Sequence, residues 1–538
     1  MTEWWRGGVL YQIYPRSFCD SDGDGVGDLE GIVSRLDHVA GLGVDGIWLS
    51  PFFRSPMMDF GYDVADYRDV DPLFGTLDGF DRLLARAHGL GLKVVIDMVL
   101  SHTSDSHPWF RDSRAGHEGP RADWYVWADA KADGTPPNNW LSVFGGPAWT
   151  WDGRRQQYYL HNFLACQPDL NLHNPEVQEA VLGECAFWLD RGVDGFRLDV
   201  ANYYLHDPML RDNPPRPPGL RWPDGVPPAS PYGRQIHRHD KSQPETLWFL
   251  RRLRALLDRY PDRMAVAEVH DDDSVMRAAE YVAAPDLLHT AYNFALLGTE
   301  NGAATIRAAV EAFEAQPGQG WPSWAFSNHD VPRVASRWGG PDAPAAAARL
   351  YIALLTALRG TAFLYQGEEL GLPQAEVPFE RLRDPFGIAL WPEAAGRDGC
   401  RTPMPWSRDG VHAGFSDVEP WLPIPDEHRA RAVAVQEGDP DSVLAFTRVF
   451  LAWRAAQPAL RLGTIRFRDV APPVLAFERE HDGQALLCLF NPSPEPARAA
   501  VADADRWLPL SVPGLDGAPD DGAVRLGPWG ALFARRRE

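Results

Sequence analysis

GFRLDV, at residues 195–200, is a run in which apolar and polar side chains alternate. The alternation predicts a short buried strand with Arg197 and Asp199 on the same face. A buried arginine and a buried aspartate are costly unless they serve each other or a ligand. The two residues are therefore either a structural ion pair or a site in which Arg197 keeps Asp199 ionised as a nucleophile.

Seven other runs look like this strand and alternate with helical patterns. The strand-like runs cover 9–15, 45–51, 93–99, 263–269, 289–294, 324–330 and 361–369. Amphipathic helices are predicted over 78–88, 175–191, 245–260 and 345–358. Strands that alternate with helices indicate parallel βαβ units, and eight such units predict an α/β fold, a closed (β/α)8 TIM barrel. Catalytic residues of these barrels lie at the carboxyl ends of the strands.

Two segments depart from the barrel pattern. The segment after the third strand is rich in Trp, Asp, Pro and Gly and predicts a small inserted domain. Near the end of the chain the helical rhythm stops, which predicts a C-terminal antiparallel β domain, a β-sandwich. The predicted division is domain A (1–102 and 169–459), domain B (103–168) and domain C (460–538). Long loops at 207–240 and 370–425 are expected to be functional.

The composition narrows the class of protein. The 538 residues include 52 Lys plus Arg and 74 Asp plus Glu, for a net charge of −22, so neither nucleic acid nor an anionic membrane is an expected partner. No secretory leader and no apolar run of membrane-spanning length is visible. The scattered cysteines lack metal-ligand spacing and indicate reduced thiols. We predict a cytoplasmic protein, either a monomer or a homodimer.

An acidic, glycine-rich loop at residues 20–28, DSDGDGVGD, is the sharpest local motif. It offers the carboxylates of Asp20, Asp22, Asp24 and Asp28 and the backbone carbonyl of Val26. Hard cations take this kind of oxygen ligation. The alternative is a solvated acidic loop, and the segment lacks the bidentate glutamate and the paired helices of an EF-hand. We expect a structural Ca²⁺ (or Mg²⁺) site and no organic cofactor.

Three carboxylic acids, Asp199, Glu268 and Asp330, each end a predicted strand. Glycoside hydrolysis needs two carboxyl groups that flank an oxocarbenium-like transition state, and in the retaining version one is a nucleophile and the other a proton donor. Glu268 follows an apolar run, which favours its protonated form. Taken singly each acid is more often structural, but their shared position at strand ends points to an active site.

The motifs around these acids resemble glycoside hydrolase family 13, the α-amylase family. Its sequence regions are similar to DMVLSH at 97–102, QPDLN at 167–171, GFRLDVAN at 195–202, AEVH with Glu268, and FSNHD at 326–330. Within the family, the oligo-1,6-glucosidase and α-glucosidase subfamily is the most similar. It is indicated by the QPDLN form, the acidic loop, WWRGGVLYQIYPRSF at 4–18 and GRDGCRTPMPW at 396–406.

The resemblance implies a role for each matching residue. Asp199 is similar to the family nucleophile, Glu268 to the acid/base and Asp330 to the transition-state stabiliser. Substrate-binding positions around the glucose are implied for Tyr62, His102, Phe163, Arg197, Phe294 and His329. Asp59 and Arg401 resemble the pair that grips the outer hydroxyls of a terminal glucose, so that only a chain end fits. The acidic loop resembles the metal site of the subfamily.

The resemblance therefore predicts a retaining exo-α-glucosidase that releases α-glucose from short α-glucosides such as maltose. Its glucosyl acceptors would be water, sugars or alcohols, with transglucosylation in the last two cases. The preferred linkage stays open, because Val200 is typical of α-1,6-acting members whereas 136–146 and 210–215 resemble α-1,4-acting bacterial enzymes. The alternatives are an oligo-1,6-glucosidase, a sucrose-directed hydrolase, transferase or isomerase, and a non-catalytic carbohydrate-binding subunit.

Overall fold

Eight parallel strands close into a barrel, which confirms the predicted fold class. The computed structural model describes residues 3–223, 226–299, 302–318 and 320–537. Strands β1–β8 are Val9–Ile13, Gly46–Leu49, Lys93–Met98, Gly195–Leu198, Met264–Val269, Thr290–Asn293, Pro322–Ala325 and Thr361–Tyr365. Each strand pairs in parallel with the next, and β8 pairs with β1 to close the barrel. Nearly every strand residue is buried, as expected when helices cover the outside of a parallel barrel.

A helix follows each barrel strand along the chain. Helices α1–α8 are Leu29–Gly41, Leu77–Gly89, Pro175–Arg191, Thr246–Leu257, Ser274–Tyr281, Ala303–Glu314, Ala345–Ala357 and Val443–Ala455. Shorter helices are Pro108–Arg114, Val334–Gly339, Pro385–Leu390, Asp426–Ala430, Val433–Gln436 and Pro458–Leu462. The bounds of α3 follow from local chemistry: the Asn174 side chain caps its start, Pro175 occupies the first turn, and Gly192 ends it at φ 108°.

Antiparallel sheets occupy the two segments that depart from the barrel pattern. Between β3 and α3, one sheet contains Trp127–Ala128, Trp149–Asp152 and Gln157–Leu160. The C-terminal strands are Thr464–Arg468, Leu475–His481, Gln484–Phe490, Ala497–Ala500, Trp507–Leu510, Gly517–Asp520, Ala523–Leu526 and Ala531–Arg536. They form a five-stranded and a three-stranded sheet. A short pair, Phe53–Arg54 with Asp66–Val70, follows β2. The exact domain boundaries stay predictions.

Two details of the barrel position the residues discussed below. A Cβ atom at Gly195 would lie 2.4 Å from the carbonyl oxygen of Met264, so a glycine allows β4 and β5 to approach closely at their start. Strand β7 ends at Ala325, earlier than predicted, so Asp330 lies in the turn beyond the strand. All five cysteines are unpaired. Within the described ranges, no helix combines the length and hydropathy needed to cross a lipid bilayer.

Candidate active site

A pocket opens at the carboxyl ends of the barrel strands. Eight residues singled out from the sequence line it: Asp59, Tyr62, His102, Phe163, Asp199, Glu268, Phe294 and Asp330. Three others, Arg197, His329 and Arg401, are almost fully buried and contact these lining residues from behind. The fold therefore brings together acids that lie more than 250 residues apart in the chain.

One buried guanidinium holds three carboxylates together. Arg197 Nη1 lies 2.8 Å from Asp97 Oδ1 and 2.5 Å from Asp199 Oδ1, and Nη2 lies 2.5 Å from Glu268 Oε1. The strand register explains part of this arrangement, because Arg197 on β4 stands directly beside Asp97 on β3. Arg197 itself has no exposed surface. We call Asp97, Arg197, Asp199 and Glu268 the carboxylate cluster.

The carboxylate cluster carries more negative than positive groups. Burial raises the pKa of Asp97 to about 6. Burial, together with Glu268 and Asp97, also raises the pKa of Asp199 well above its usual range, although Arg197 acts in the opposite direction. Arg197 therefore acts on Asp199 in the predicted direction, but burial and two neighbouring carboxylates oppose it. One guanidinium does not neutralise three buried carboxylates, so the cluster favours retention of a proton.

Glu268 is held in place by hydrogen bonds from two sides. The Tyr292 hydroxyl donates to Oε1 at 2.8 Å, and the backbone N–H of Val200 donates to Oε2 at 3.1 Å. Val200 reaches this position with φ 36° and ψ 51°, a left-handed conformation that is rare for a β-branched residue. Backbone strain of this kind persists only where the surroundings enforce it. It links the turn after Asp199 to the carboxyl group of Glu268.

Asp330 lies in a different electrostatic environment. Its Oδ1 accepts from Arg401 Nη2 at 2.8 Å and from Arg397 Nη1 at 3.2 Å. Burial alone would raise its pKa, but His329 and the two guanidinium groups outweigh burial and lower the pKa below its usual range. Asp330 therefore remains ionised near neutral pH.

The arginine that pairs with Asp59 is Arg397 rather than Arg401. Arg397 Nη2 lies 2.9 Å from Asp59 Oδ1 and 2.8 Å from Asp384 Oδ1. Arg401 instead donates from Nε to the carbonyl oxygen of His329 at 2.6 Å. The predicted pair of Asp59 and Arg401 is thus wrong. Asp384 pairs with Arg397 and orients it into the pocket. Arg401 instead donates to Asp330 from the buried side.

Two histidines near the pocket are neutral. Burial lowers the pKa of His102 and of His329 to about 3 in each case. His329 Nδ1 lies 2.8 Å from the Gln12 amide nitrogen and therefore accepts, so we assign the ring proton to Nε2, which is 2.5 Å from the Tyr62 hydroxyl. The Tyr62 hydroxyl donates in turn to Asp97 Oδ2 at 3.1 Å. A chain of hydrogen bonds thus joins Gln12 to the carboxylate cluster.

Sequence reasoning missed several groups in and around the pocket. Additional lining residues are Val143, Phe144, Gln167, Tyr203, His270, Phe386 and Arg397. Gln167 Nε2 donates to Asp59 Oδ2 at 3.1 Å, and its place in QPDLN was a usable signal. Phe144 lies in a loop of the inserted segment and Phe386 in the distant short helix Pro385–Leu390, with ring centroids 5.6 Å apart. Neither segment contains a pattern that reveals which aromatic side chain turns inward.

The acidic loop gathers three of its four aspartates. Carboxylate oxygens of Asp20, Asp22 and Asp28 lie within 4.8 Å of one another. Asp24 lies outside this group, and its Oδ1 accepts from the Val26 N–H at 2.8 Å. Asp28 also caps α1 by accepting from the Gly31 N–H at 2.7 Å. Three converging carboxylates suit a hard divalent cation.

Comparison with known proteins places this geometry among carbohydrate-active enzymes. Residues 12–463 match the family described as the α-amylase catalytic domain. The chain is 54% identical over 538 residues to a probable α-glucosidase of Rhizobium meliloti strain 1021, covering 99% of this chain and 97% of the relative. It is 36% identical to an oligo-1,6-glucosidase of Heyndrickxia coagulans, covering 94% and 95%. A solved structure of an α-glucosyl transfer enzyme, XgtA, superposes with a TM-score of 0.98 at 57% identity and covers 100% of both chains.

Proposed function

The chain belongs to the α-amylase family and is a glycoside hydrolase, and we propose that it is a retaining exo-α-glucosidase acting on short α-glucosides such as maltose. The observation that carries the proposal is the carboxylate cluster, in which Asp199 and Glu268 share Arg197 at the base of the pocket. Retaining glycosidases use two carboxyl groups on either side of one glycosidic bond. The names of the relatives support the same class of substrate.

In the proposed mechanism Asp199 attacks the anomeric carbon while Glu268 protonates the leaving oxygen. The product of this step is a covalent glucosyl ester on Asp199. Glu268 then removes a proton from water, which attacks the same carbon and releases α-glucose with net retention. A sugar or an alcohol in place of water gives a transglucosylation product. Asp330, held ionised by its arginines, would stabilise the positive charge that develops on the sugar ring.

The hydrogen bonds and ion pairs of the cluster support these assignments. The first step requires one proton on Glu268 and a negative charge on Asp199. The cluster favours retention of a proton because three carboxylates share Arg197. The hydrogen bonds from Tyr292 and Val200 fix the Glu268 carboxyl group in position. Both carboxyl groups are therefore held in fixed positions at the base of the pocket.

The pair of Asp59 and Arg397 supports the exo-acting part of the proposal. Its charges lie in the pocket wall, 2.9 Å apart, where they would bind the outer hydroxyls of a terminal glucose. The neutral ring of His102 lines the pocket beside this pair, and the neutral ring of His329 holds Tyr62 from behind. A chain that continued beyond this glucose would collide with the pair.

Replacement of Asp199 by Asn tests the mechanism. We expect turnover of α-glucosides to fall by about four to six orders of magnitude, as for loss of other catalytic residues that act as a unit, while the circular dichroism spectrum is retained. Exposed Asp37 is the control, since Asp37→Asn removes a carboxylate on the outside of α1 and leaves the rate unchanged. Turnover of the Asp199→Asn variant close to wild type would refute the assignment.

The linkage is tested by initial rates on maltose and isomaltose, followed by NMR of the released glucose. We expect faster turnover of maltose, with α-glucose as the first product. A preference for isomaltose would favour the oligo-1,6-glucosidase alternative, for which Val200 and the Heyndrickxia relative argue. Turnover of sucrose alone would favour the sucrose-directed alternative. Absence of any turnover would leave the non-catalytic subunit.

We also propose that the acidic loop binds a structural Ca²⁺ ion through Asp20, Asp22 and Asp28. Excess Ca²⁺ should then raise the Tm of metal-stripped protein, because a ligand that binds only the folded state stabilises it. Asp22→Asn should abolish this shift. Asp24→Asn is the matched control, since Asp24 lies outside the converging group. A Tm that does not respond to Ca²⁺ or Mg²⁺ would refute the site.

A further inference from the structure

A buried lysine lies beside the pocket. The chain contains three lysines, Lys93, Lys131 and Lys241, and only 3% of the surface of Lys241 is exposed. Its Nζ donates to the Tyr203 hydroxyl at 3.2 Å, to the Tyr232 hydroxyl at 3.0 Å and to the backbone carbonyl oxygen of His270 at 3.0 Å. All three protons of the ammonium group therefore have an acceptor.

These three contacts join three separate segments of the chain. Tyr203 belongs to the turn after β4, four residues beyond Asp199, and lines the pocket. His270 follows β5, two residues beyond Glu268, and also lines the pocket. Tyr232 lies in the long loop 207–240. A single ammonium group thus connects this loop to the strand ends that carry Asp199 and Glu268.

Charged and aromatic groups hold the lysine in its charged form. Burial alone would lower the pKa of Lys241, but Tyr203, Asp271 and Asp240 outweigh burial and raise it. Asp240 is fully buried and lies 2.5 Å from His237 Nδ1. The His237 ring stacks on Tyr232 with centroids 3.6 Å apart. Loop 207–240 is therefore fixed at its end by a network centred on a buried positive charge.

The network adjoins the side of the pocket that receives the leaving group. The acid that protonates the leaving oxygen stands on that side of the scissile bond, and His270 is two residues from Glu268. The Tyr203 ring packs against Phe163 with centroids 5.3 Å apart, and the His270 ring packs against Phe294 at 4.8 Å. Asp59 and Arg397, which would bind the outer hydroxyls of the glucose, do not contact this network. Gln167 donates a hydrogen bond to Asp59, and Asp384 pairs with Arg397.

We propose that Lys241 is a positioning residue that sets the acceptor side of the pocket through Tyr203, His270 and loop 207–240. This inference rests on the proposed α-glucosidase function. Lys241 touches neither the glucose nor the reacting atoms. It determines how well the leaving sugar, and later the glucosyl acceptor, is bound, and so it controls the ratio of transfer to hydrolysis.

Comparison of two glucosyl donors isolates this role. Maltose places its second sugar on the acceptor side, whereas α-glucosyl fluoride releases a fluoride ion that makes no use of that side. For Lys241→Met we expect the KM for maltose to rise about tenfold and the transfer-to-hydrolysis ratio to fall about fivefold, while kcat/KM for α-glucosyl fluoride stays within about twofold. The methionine keeps an unbranched side chain as far as Cε but lacks the terminal amine and donates no hydrogen bond.

Two further variants make the test secure. Lys93 begins β3, remote from the pocket, and pairs with buried Asp194. Lys93→Met should therefore leave the kinetic constants for both donors unchanged. Tyr232→Phe deletes one acceptor of Lys241 without altering the pocket lining, and it should shift the maltose KM and the transfer ratio in the same direction by a smaller factor. This variant carries the test if Lys241→Met does not fold.

Several results would overturn the inference. An equal loss on both donors in folded Lys241→Met would place Lys241 in the chemistry of the glucose itself. A wild-type maltose KM and transfer ratio in both Lys241→Met and Tyr232→Phe would show that the network does not shape the acceptor side. Failure of the wild-type protein to use any α-glucosyl donor would instead refute the proposed function, and the two failures are therefore distinguishable.

Discussion

The two sides of the pocket differ in the kinds of side chain that line them. On the side that we assign to the glucose, the buried charges already have partners, with Asp59 on Arg397 and Asp330 on Arg401. On the side that we assign to the acceptor lie Val200, Tyr203 and His270, with Phe294, which the resemblance placed around the glucose, packed against His270. These residues offer mostly ring faces and methyl groups. The glucose side constrains the directions of hydrogen bonds to a ligand, and the acceptor side constrains the shape of the ligand.

This difference suggests how selectivity is divided. A site built to hydrogen-bond hydroxyl groups strongly rejects a ligand that lacks them, because its buried polar groups are left unpaired. A wall of apolar groups discriminates weakly, by about tenfold to a few hundredfold for a methylene. We therefore expect strict recognition of terminal glucose and tolerant recognition of what is attached to it. Three substitutions test this division, and the pH dependence tests the carboxylate cluster between the two sides.

The largest effect is expected for Arg397→Met on the glucose side. The change leaves Asp59 and Asp384 buried without their guanidinium, and truncating one partner of a buried ion pair is strongly destabilising. We expect kcat/KM for maltose and for α-glucosyl fluoride to fall together by about a thousandfold. Arg383→Met, in an exposed position of the same loop, is the control. A loss confined to maltose would contradict the division.

The pH dependence should report the carboxylate cluster. The pKa of Asp97 is raised to about 6 and that of Asp199 is raised as well, so the cluster gains protons as the pH falls through 6. A neutral Asp199 cannot attack, and kcat/KM for α-glucosyl fluoride should fall about tenfold per pH unit on the acid limb. Asp97→Asn should move this limb to lower pH. An acid limb near pH 4 in the wild type would show that the raised pKa values of Asp97 and Asp199 do not control the rate.

The same pKa shift affects stability with a defined sign. Between about pH 4 and 6 the folded protein binds more protons at Asp97 than the unfolded chain does. The contribution of this group to the free energy of unfolding therefore falls as the pH rises through that interval. Its full contribution is present only below the pKa of the unfolded chain.

On the acceptor side we expect a smaller and more selective effect from Phe294→Leu. Phe294 packs against His270 and lines the pocket, so a smaller side chain loosens the wall without removing a charge. The KM for maltose should rise roughly fivefold and kcat/KM for α-glucosyl fluoride should hardly change. Steady-state kinetics on the two donors checks this. Parallel losses on both would mean that Phe294 serves the glucose side.

The smallest effect is expected for Val200→Ala. Removal of two methyl groups enlarges the wall directly after Asp199, and the backbone N–H that reaches Glu268 is retained. We expect the ratio of maltose to isomaltose turnover to rise by about threefold, less than the roughly tenfold or more of a methylene in an apolar pocket, because Val200 forms only part of this wall. A competition assay with both sugars measures the ratio. An unchanged ratio would place linkage preference in the loops instead.

The sequence allowed the barrel and most of the acids to be predicted because both follow local patterns. Buried parallel strands are continuous apolar runs, and Asp199 and Glu268 sit at or near the ends of such runs. The pairing of Asp59 with Arg397 was not predictable, because one loop offers arginines at 397 and 401 and only the position of Asp384 selects between them. The raised pKa values of Asp97 and Asp199 were also not predictable, because they depend on burial and on residues from three strands.

Lys241 illustrates a second limit of sequence reasoning. It directly follows the proline-rich loop 207–240, whose sequence shows no periodicity. Its three acceptors are separated from it by 9 to 38 residues. An isolated lysine next to such a loop is normally solvated. Only the folded chain reveals that this one is enclosed.

The scarcity of lysine has a practical consequence for attaching the enzyme to a support. Because Lys241 is enclosed, amine-reactive linkers have Lys93 and Lys131 as their accessible side-chain targets. Lys93 begins β3, at the end of the barrel opposite the pocket, and its side chain is 32% exposed. Lys131 lies on the inserted segment and is exposed. Replacing Lys131 by Arg would leave Lys93 as the remaining accessible side-chain amine, and coupling through it would turn the pocket away from the support.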